Sequence, residues 1–230
     1  MFIPLYDGQP MLALRAPLVT YGVIGLCVAL HAASLGGLLP AVEPALAAGF
    51  GIIPQVVFGQ AVLPEGLAQA PPWATPLTSL FLHANLAHLV GNMLFLWVFA
   101  DNVEDSMGHW RFLGFFVLCG VLAAFAHALT HPDSVQPLIG ASGAISGVIA
   151  AYLLLYPRVR IWGLVFKYLP LAVPAWVAIG AWIAIQIGQG FFGEASAVAW
   201  FAHLGGLLAG VVLTPLFLRR GVSIRQRWAR

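Results

Sequence analysis

Charge is what this chain has least of. Only 8% of its 230 residues are Asp, Glu, Lys or Arg, 61% are hydrophobic, and mean hydropathy is +0.93. Soluble domains carry roughly 25% charged residues, so a water-soluble globule is excluded and a polytopic membrane protein follows. Cysteine is scarce too. Cys27 and Cys119 both fall inside apolar runs, where a lone thiol reads as a packing residue and not as half of a disulfide or metal pair. No basic stretch followed by a short apolar run and a small-residue cleavage site opens the sequence, so no removable signal peptide is expected, and the first apolar run is expected to act as its own insertion signal. Internal repeats, low-complexity tracts and interdomain linkers are also missing. One helical domain over 1–230 is the expectation, with a core of about 70–220 and cytoplasmic tails at 1–16 and 219–230.

What is there is a series of long, nearly uncharged runs: 17–39, 77–100, 111–129, 141–156, 169–192 and 198–218. Most approach the roughly 20 residues needed to cross about 30 Å of hydrocarbon. An all-α bundle of six transmembrane helices is expected. Basic residues stay on the cytoplasmic side of a membrane, and here Arg15, Arg111, Arg158, Arg160, Lys167, Arg219, Arg220, Arg225, Arg227 and Arg230 all fall on one side if six helices alternate. The opposite loops carry only Glu43, Glu65, Asp133 and Glu194. Both termini are therefore expected in the cytoplasm. The apolar loop 39–76, dotted with Gly and Pro, suggests short interfacial pieces at the outer membrane surface.

The run "IGASGAISG", residues 139–147, places Ser142 between glycines at the start of the fourth helix. That helix spans about 15 residues, roughly 22 Å, too short to cross. Its N-terminal loop must dip into the protein, which is tolerated only where backbone is shielded from lipid or lines a wet cavity. Ser142 lies sixteen residues before Arg158, and His203 on the sixth helix lies sixteen before Arg219. Both therefore sit about 24 Å from the inner boundary. Gly143 and Gly147 repeat at G-x-x-x-G spacing, as do Gly206 and Gly210, which permits close approach of the two helices. Residues 203, 206 and 210 share a face, so the glycines would aim His203 at the helix of Ser142. On the second helix His88 and Asn92 share a stripe with Asn85 near it, whereas His83 would point about 140° away from His88.

A serine hydroxyl becomes a nucleophile when a histidine in hydrogen-bond reach takes its proton. Ser142 and His203 meet that need, and His88, Asn92 and the Ser142 amide would supply donors for an oxyanion. No acid stands at the right depth to orient the base: Asp101, Glu104 and Asp105 belong to the inner end of the second helix. A dyad is expected. The first alternative is a transporter of metal or protons built on the histidines. Against it, His31, His83, His127 and His131 lie on scattered faces and H-E-x-x-H is absent. A non-enzymatic membrane chaperone or substrate-binding protein of the same fold is the second, and a channel the third, although no ring of charges or broken inverted repeat supports it.

With these residues in view, the sequence resembles the rhomboid family of intramembrane serine proteases. The resemblance rests on "TSLFLHANLAHLVGNMLFLWVFADNVEDSMGHWRF", "IGASGAISG" and "FAHLGGLLAG", in that order. It implies Ser142 as nucleophile, His203 as general base, His88 and Asn92 in the oxyanion site, and His83 as structural, with Gly140, Gly143, Gly206 and Gly210 shaping the surroundings. Glu104, Gly108 and Arg111 match the family's ExxxGxxRF pattern and are expected to be a structural fastener. It further implies substrates that are transmembrane segments of other proteins, cut near their outer end, with the lipid bilayer as surroundings and no cofactor, metal or nucleic acid. Two departures stand out. Some members carry a tyrosine one turn after the nucleophile that stacks on the base, where this chain has Ser146, so His203 must be oriented from elsewhere. Trp73 lacks the arginine that follows it in one subgroup. A bacterial plasma membrane is the expected location.

Overall fold

A computed structural model describes residues 2–34, 44–165, 168–192 and 197–224. Its elements run β1 (Phe2–Tyr6), α1 (Leu18–Ser34), α2 (Pro44–Phe50), α3 (Pro54–Val57), α4 (Thr75–Thr78), α5 (Leu86–Met107), α6 (His109–Thr130), α7 (Ser142–Leu155), β2 (Arg160–Val165), β3 (Leu169–Pro174), α8 (Ala175–Phe192) and α9 (Ala197–Phe217). One long helix overlaps each of the six apolar runs, although α5 begins only at Leu86 and runs on to Met107. Among the described residues α5, α6 and the stretch Trp200–Phe217 are long and apolar enough to cross a bilayer, and Leu18–Ser34, Ser142–Leu155 and Ala175–Gly188 are shorter apolar helices. The molecule is a helical membrane bundle.

Helix α7 is its axis. The run from Gly143 to Tyr152 is wholly buried, as an element apolar on all sides must be, and α5, α6 and α9 pack around it. The surrounding helices turn apolar residues both ways. Leu122 and Leu129 of α6, with Val212 and Leu216 of α9, are exposed, a pattern that only hydrocarbon accommodates, since lipid tails are as apolar as leucine.

Local chemistry sets the helix ends. Asn85 caps α5 by accepting from the His88 N–H at 2.8 Å, satisfying one of the first-turn donors. Gly108, at φ 84°, both closes α5 and opens α6. Pro157 ends α7 because a residue before proline leaves the α region.

One expectation is corrected. Residues 169–174 do not begin a helix; they form β3 in a three-stranded antiparallel sheet ordered β1-β2-β3. Pro170 and Pro174 lack the N–H that a helix interior needs, and Gly163 of β2 lets the Ile3 backbone approach where any side chain would collide. Residues 2–16 are built into one end of the bundle. Phe2–Tyr6 pairs with β2 at the end of the bundle opposite Ser142, and the following residues are held by acids at the end of α5. Asp105 accepts from the N–H groups of Leu12 at 3.1 Å and of Ala13 and Leu14 at 2.8 Å. Glu104, fully buried, accepts from Val19 N–H at 3.0 Å, Thr20 N–H at 2.8 Å and Thr20 Oγ1 at 2.7 Å, placing negative charge at the N-terminus of α1 where the helix dipole favours it. Residues 39–43, Lys167, Glu194, Arg225, Arg227 and Arg230, used above for orientation, lie outside the described residues.

The segment 44–76 holds the short helices α2 and α3 and a turn of 3-10 helix at Pro72–Ala74. It is tied to the approach to α7: Ile52 and Leu138 exchange backbone hydrogen bonds at 3.1 and 2.9 Å.

Candidate active site

The site begins with a glycine. Gly140 sits at φ +129°, a region closed to other residues, and a Cβ there would lie 2.7 Å from the His88 ring; both restrictions require glycine. Its N–H donates to Ser79 O at 2.9 Å, and two residues later Ser142 is the first residue of α7. The serine thus stands at a helix N-terminus, with its amide free of the intrahelical ladder.

Helix α9 delivers the imidazole. Gly206 lies directly against the Gly143 carbonyl and Gly210 against Gly147, so that a Cβ at either position would overlap backbone. This contact brings His203 Nε2 to 2.9 Å from Ser142 Oγ. On the other side of the ring, Nδ1 lies 3.1 Å from Gln186 Oε1 of α8, and the Trp182 ring flanks it at 5.9 Å between centroids. Ser146, in the place of the family's stacking tyrosine, donates to Ser142 O at 2.7 Å.

Helix α5 forms the facing wall. Asn92 Nδ2 donates to His88 O at 2.8 Å, which fixes the amide on the same stripe as the imidazole. His88 Nδ1 accepts a long bond, 3.4 Å, from the Ala84 N–H, so a neutral ring carries its hydrogen on Nε2. Ser142, His203, His88, Asn92, Gln186 and Trp182 all line one cavity of about 240 Å³. A larger cavity of about 330 Å³ lies within segment 48–75, but its lining is apolar and includes no titratable side chain. The candidate catalytic side chains line the smaller one.

The helical-wheel placement of His83 and Asn85 does not hold. Helix α5 starts only at Leu86, so the wheel does not extend to them. Asn85 is the cap, and His83, 1% exposed, turns its ring edge-on to His88 at 5.3 Å and 60° instead of pointing away. Gly108 N–H donates to the Glu104 carbonyl at 2.6 Å, closing α5, while the side chains of Glu104 and Arg111 reach different partners. Glu104 holds the start of α1 and also pairs with His109, Gly108 makes the α5–α6 corner, and Arg111 Nη1 donates to Leu218 O at 2.6 Å, just beyond α9. Together they join four helix ends, those of α1, α5, α6 and α9.

Sequence reasoning passed over Gln186 and Trp182 because it searched for an acid. The available signal was polarity: Gln186 is a polar residue in the apolar stretch "AWIAIQIGQG", and polar groups at such depth face the bundle interior.

Comparison with known proteins agrees with this architecture. Residues 71–220 match the family model described as Rhomboid domain. Over 143 residues, 59% of the chain, it is 33% identical to the presenilin-associated rhomboid-like protein, mitochondrial, of Bos taurus, covering 36% of that protein. It is 31% identical over 144 residues to Rhomboid protein 1, mitochondrial, of Saccharomyces cerevisiae, covering 58% of this chain and 39% of the yeast protein. To Rhomboid protease GluP of Bacillus subtilis it is 33% identical over 138 residues, 60% of this chain and 25% of that protein. The matches span well under two thirds of these relatives' own lengths. Mitochondrial names among them lend no support to a bacterial plasma membrane. On the extent of the family match, the helical membrane fold and the ordered motifs that build the cavity, the chain belongs to the rhomboid family.

Proposed function

We propose that this protein is an intramembrane serine endopeptidase that cuts transmembrane segments of other membrane proteins. The observation that carries the reading is the 2.9 Å approach of Ser142 Oγ to His203 Nε2 in a cavity whose opposite wall is His88 and Asn92. The name of one relative, Rhomboid protease GluP, points the same way.

In this mechanism His203 Nε2 takes the Ser142 proton as Oγ attacks the scissile carbonyl, and returns it to the leaving amine. The developing oxyanion is met by the Ser142 amide, His88 Nε2–H and Asn92 Nδ2–H, donors placed before the charge arises. Water then enters the same cavity and repeats the cycle on the acyl-enzyme. No metal or organic cofactor takes part. His83 backs His88, while Gly140, Gly143, Gly206 and Gly210 set the distances. We also assign the chain a single domain over 1–230, six crossings and cytoplasmic termini, with the cavity opening toward the outer side.

Covalent labelling with a fluorophosphonate, followed by mapping of the modified peptide, tests the reading. Label on Ser142, abolished together with proteolysis by Ser142→Ala, is the expected result. Proteolysis that survives Ser142→Ala refutes the nucleophile. A wild-type protein that binds transmembrane peptides without cutting them identifies the non-catalytic alternative.

A further inference from the structure

We propose that Gln186 is a positioning residue for His203, making the reacting group a triad with a neutral amide in its third place. The inference rests on the protease reading above and adds what sets the base. A neutral imidazole has one N–H. For Nε2 to take the serine proton it must be bare, so the hydrogen resides on Nδ1, and whatever faces Nδ1 must accept. The carboxamide oxygen of Gln186, 3.1 Å away, does so. With the amide reversed, N–H would face N–H. With the other tautomer, Nε2–H would point at Ser142 Oγ, 2.9 Å off, and no base would be present. With Oε1 facing Nδ1, as in this structure, the tautomer that satisfies both sides of the ring is the catalytically competent one.

The choice of an amide fits its surroundings. A carboxylate in the same position would need a partner for its charge, and α8 contributes none, because Ala175–Phe192 contains no charged residue. Trp182, one turn before Gln186, flanks the ring with planes inclined at 41°. One helix thus supplies both an acceptor and a wall for the base, where relatives with a tyrosine after the serine use the nucleophile's own helix. Displacing α8 would therefore release the tautomer as well as widen the cavity. The other titratable group facing His203 among the described residues is His88 of α5.

The test compares wild type, Gln186→Leu and Gln186→Glu in liposomes, reading two rates from about pH 5 to 9: fluorophosphonate reaction at Ser142, and cleavage of a fluorogenic transmembrane peptide. Gln186→Leu should lower kcat and the labelling rate about 10- to 100-fold with KM unchanged, since it removes orientation and not substrate contact. Gln186→Glu should recover most of the loss and move the acid limb of the profile to higher pH, because a carboxylate favours the imidazolium. A packing role alone moves no limb. Gln186→Leu within twofold of wild type overturns the inference, and so does an acid limb that Gln186→Glu leaves in place; the second comparison decides if the leucine variant fails to fold. Either result leaves the protease reading intact when wild type is labelled at Ser142. Absence of that label in wild type removes both.

Discussion

The two ends of this bundle are held together by different means. At the end occupied by the sheet, carboxylates at the end of α5 collect backbone donors: Asp105 binds residues 12–14 and Glu104 binds the first turn of α1. At the Ser142 end, glycines bring the backbones of α7 and α9 together, and the hydrogen bond described between those two helices is the one joining Ser142 Oγ and His203 Nε2. The difference has a physical basis. Donors and acceptors consumed in fastening are lost to chemistry, whereas close packing through Gly206 and Gly143 positions a hydroxyl and an imidazole without using their polar atoms.

The sharpest way to break the comparison is Ser142→Ala, which should reduce proteolysis at least about 10³-fold while leaving thermal stability within a few degrees. A large fall in Tm would mean that this hydroxyl fastens the bundle after all. Next comes Gly206→Val. Its side chain meets the Gly143 backbone, which cannot yield, so α9 must move away from α7. We expect loss of activity together with destabilisation of about 3 kcal/mol or more, read by thermal unfolding in detergent and by labelling of Ser142.

Glu104→Ala should show the reverse profile. It strands the Val19 and Thr20 donors and costs at least about 3 kcal/mol, yet Ser142 in the folded fraction should be labelled at the wild-type rate below the lowered Tm. Equal losses of labelling and stability would show that the two ends are coupled and not separate. The smallest effect is expected at Asp7, whose carboxyl accepts from Tyr152 Oη at 2.7 Å and Asn102 Nδ2 at 2.9 Å. Burial pushes this carboxyl above its ordinary range, against the opposing pull of these bonds. A group with a raised folded value contributes stability below its ordinary value of about 4 and loses it as pH rises through the folded value. Tm should therefore decline as pH rises from about 4 through the folded value and level off above it, with Tyr152 and Asp101 as the neighbouring titratable groups. Asp7→Asn should flatten the decline.

Legibility in the sequence followed the range of each interaction. The α7 and α9 boundaries fell within a residue or two of expectation, since hydrophobic length and Pro157 are local signals. The level placement of Ser142 and His203 could be measured with the helix rise alone. His83 could not be placed that way, because a helix start governed by the Asn85 cap decides where the wheel stops applying. The strand at 169–174 was hidden by its apolar composition, which suits a membrane helix and a strand equally. Its pairing partner is at residues 160–165, which pair in turn with residues 2–6, and only Pro170 and Pro174 hinted at this.

By itself the sequence determined that this is a membrane bundle and which residues are able to react, because hydropathy and residue chemistry are properties of single positions and short runs. Tertiary structure alone decided that Gln186 faces His203, that Asp7 and Asp105 bind the N-terminal segment into the bundle, and that His83 abuts His88. The first two are contacts between segments apart in the chain, set by how neighbouring elements pack, and the third follows from α5 starting only after the Asn85 cap, so no periodicity along the chain gives any of them.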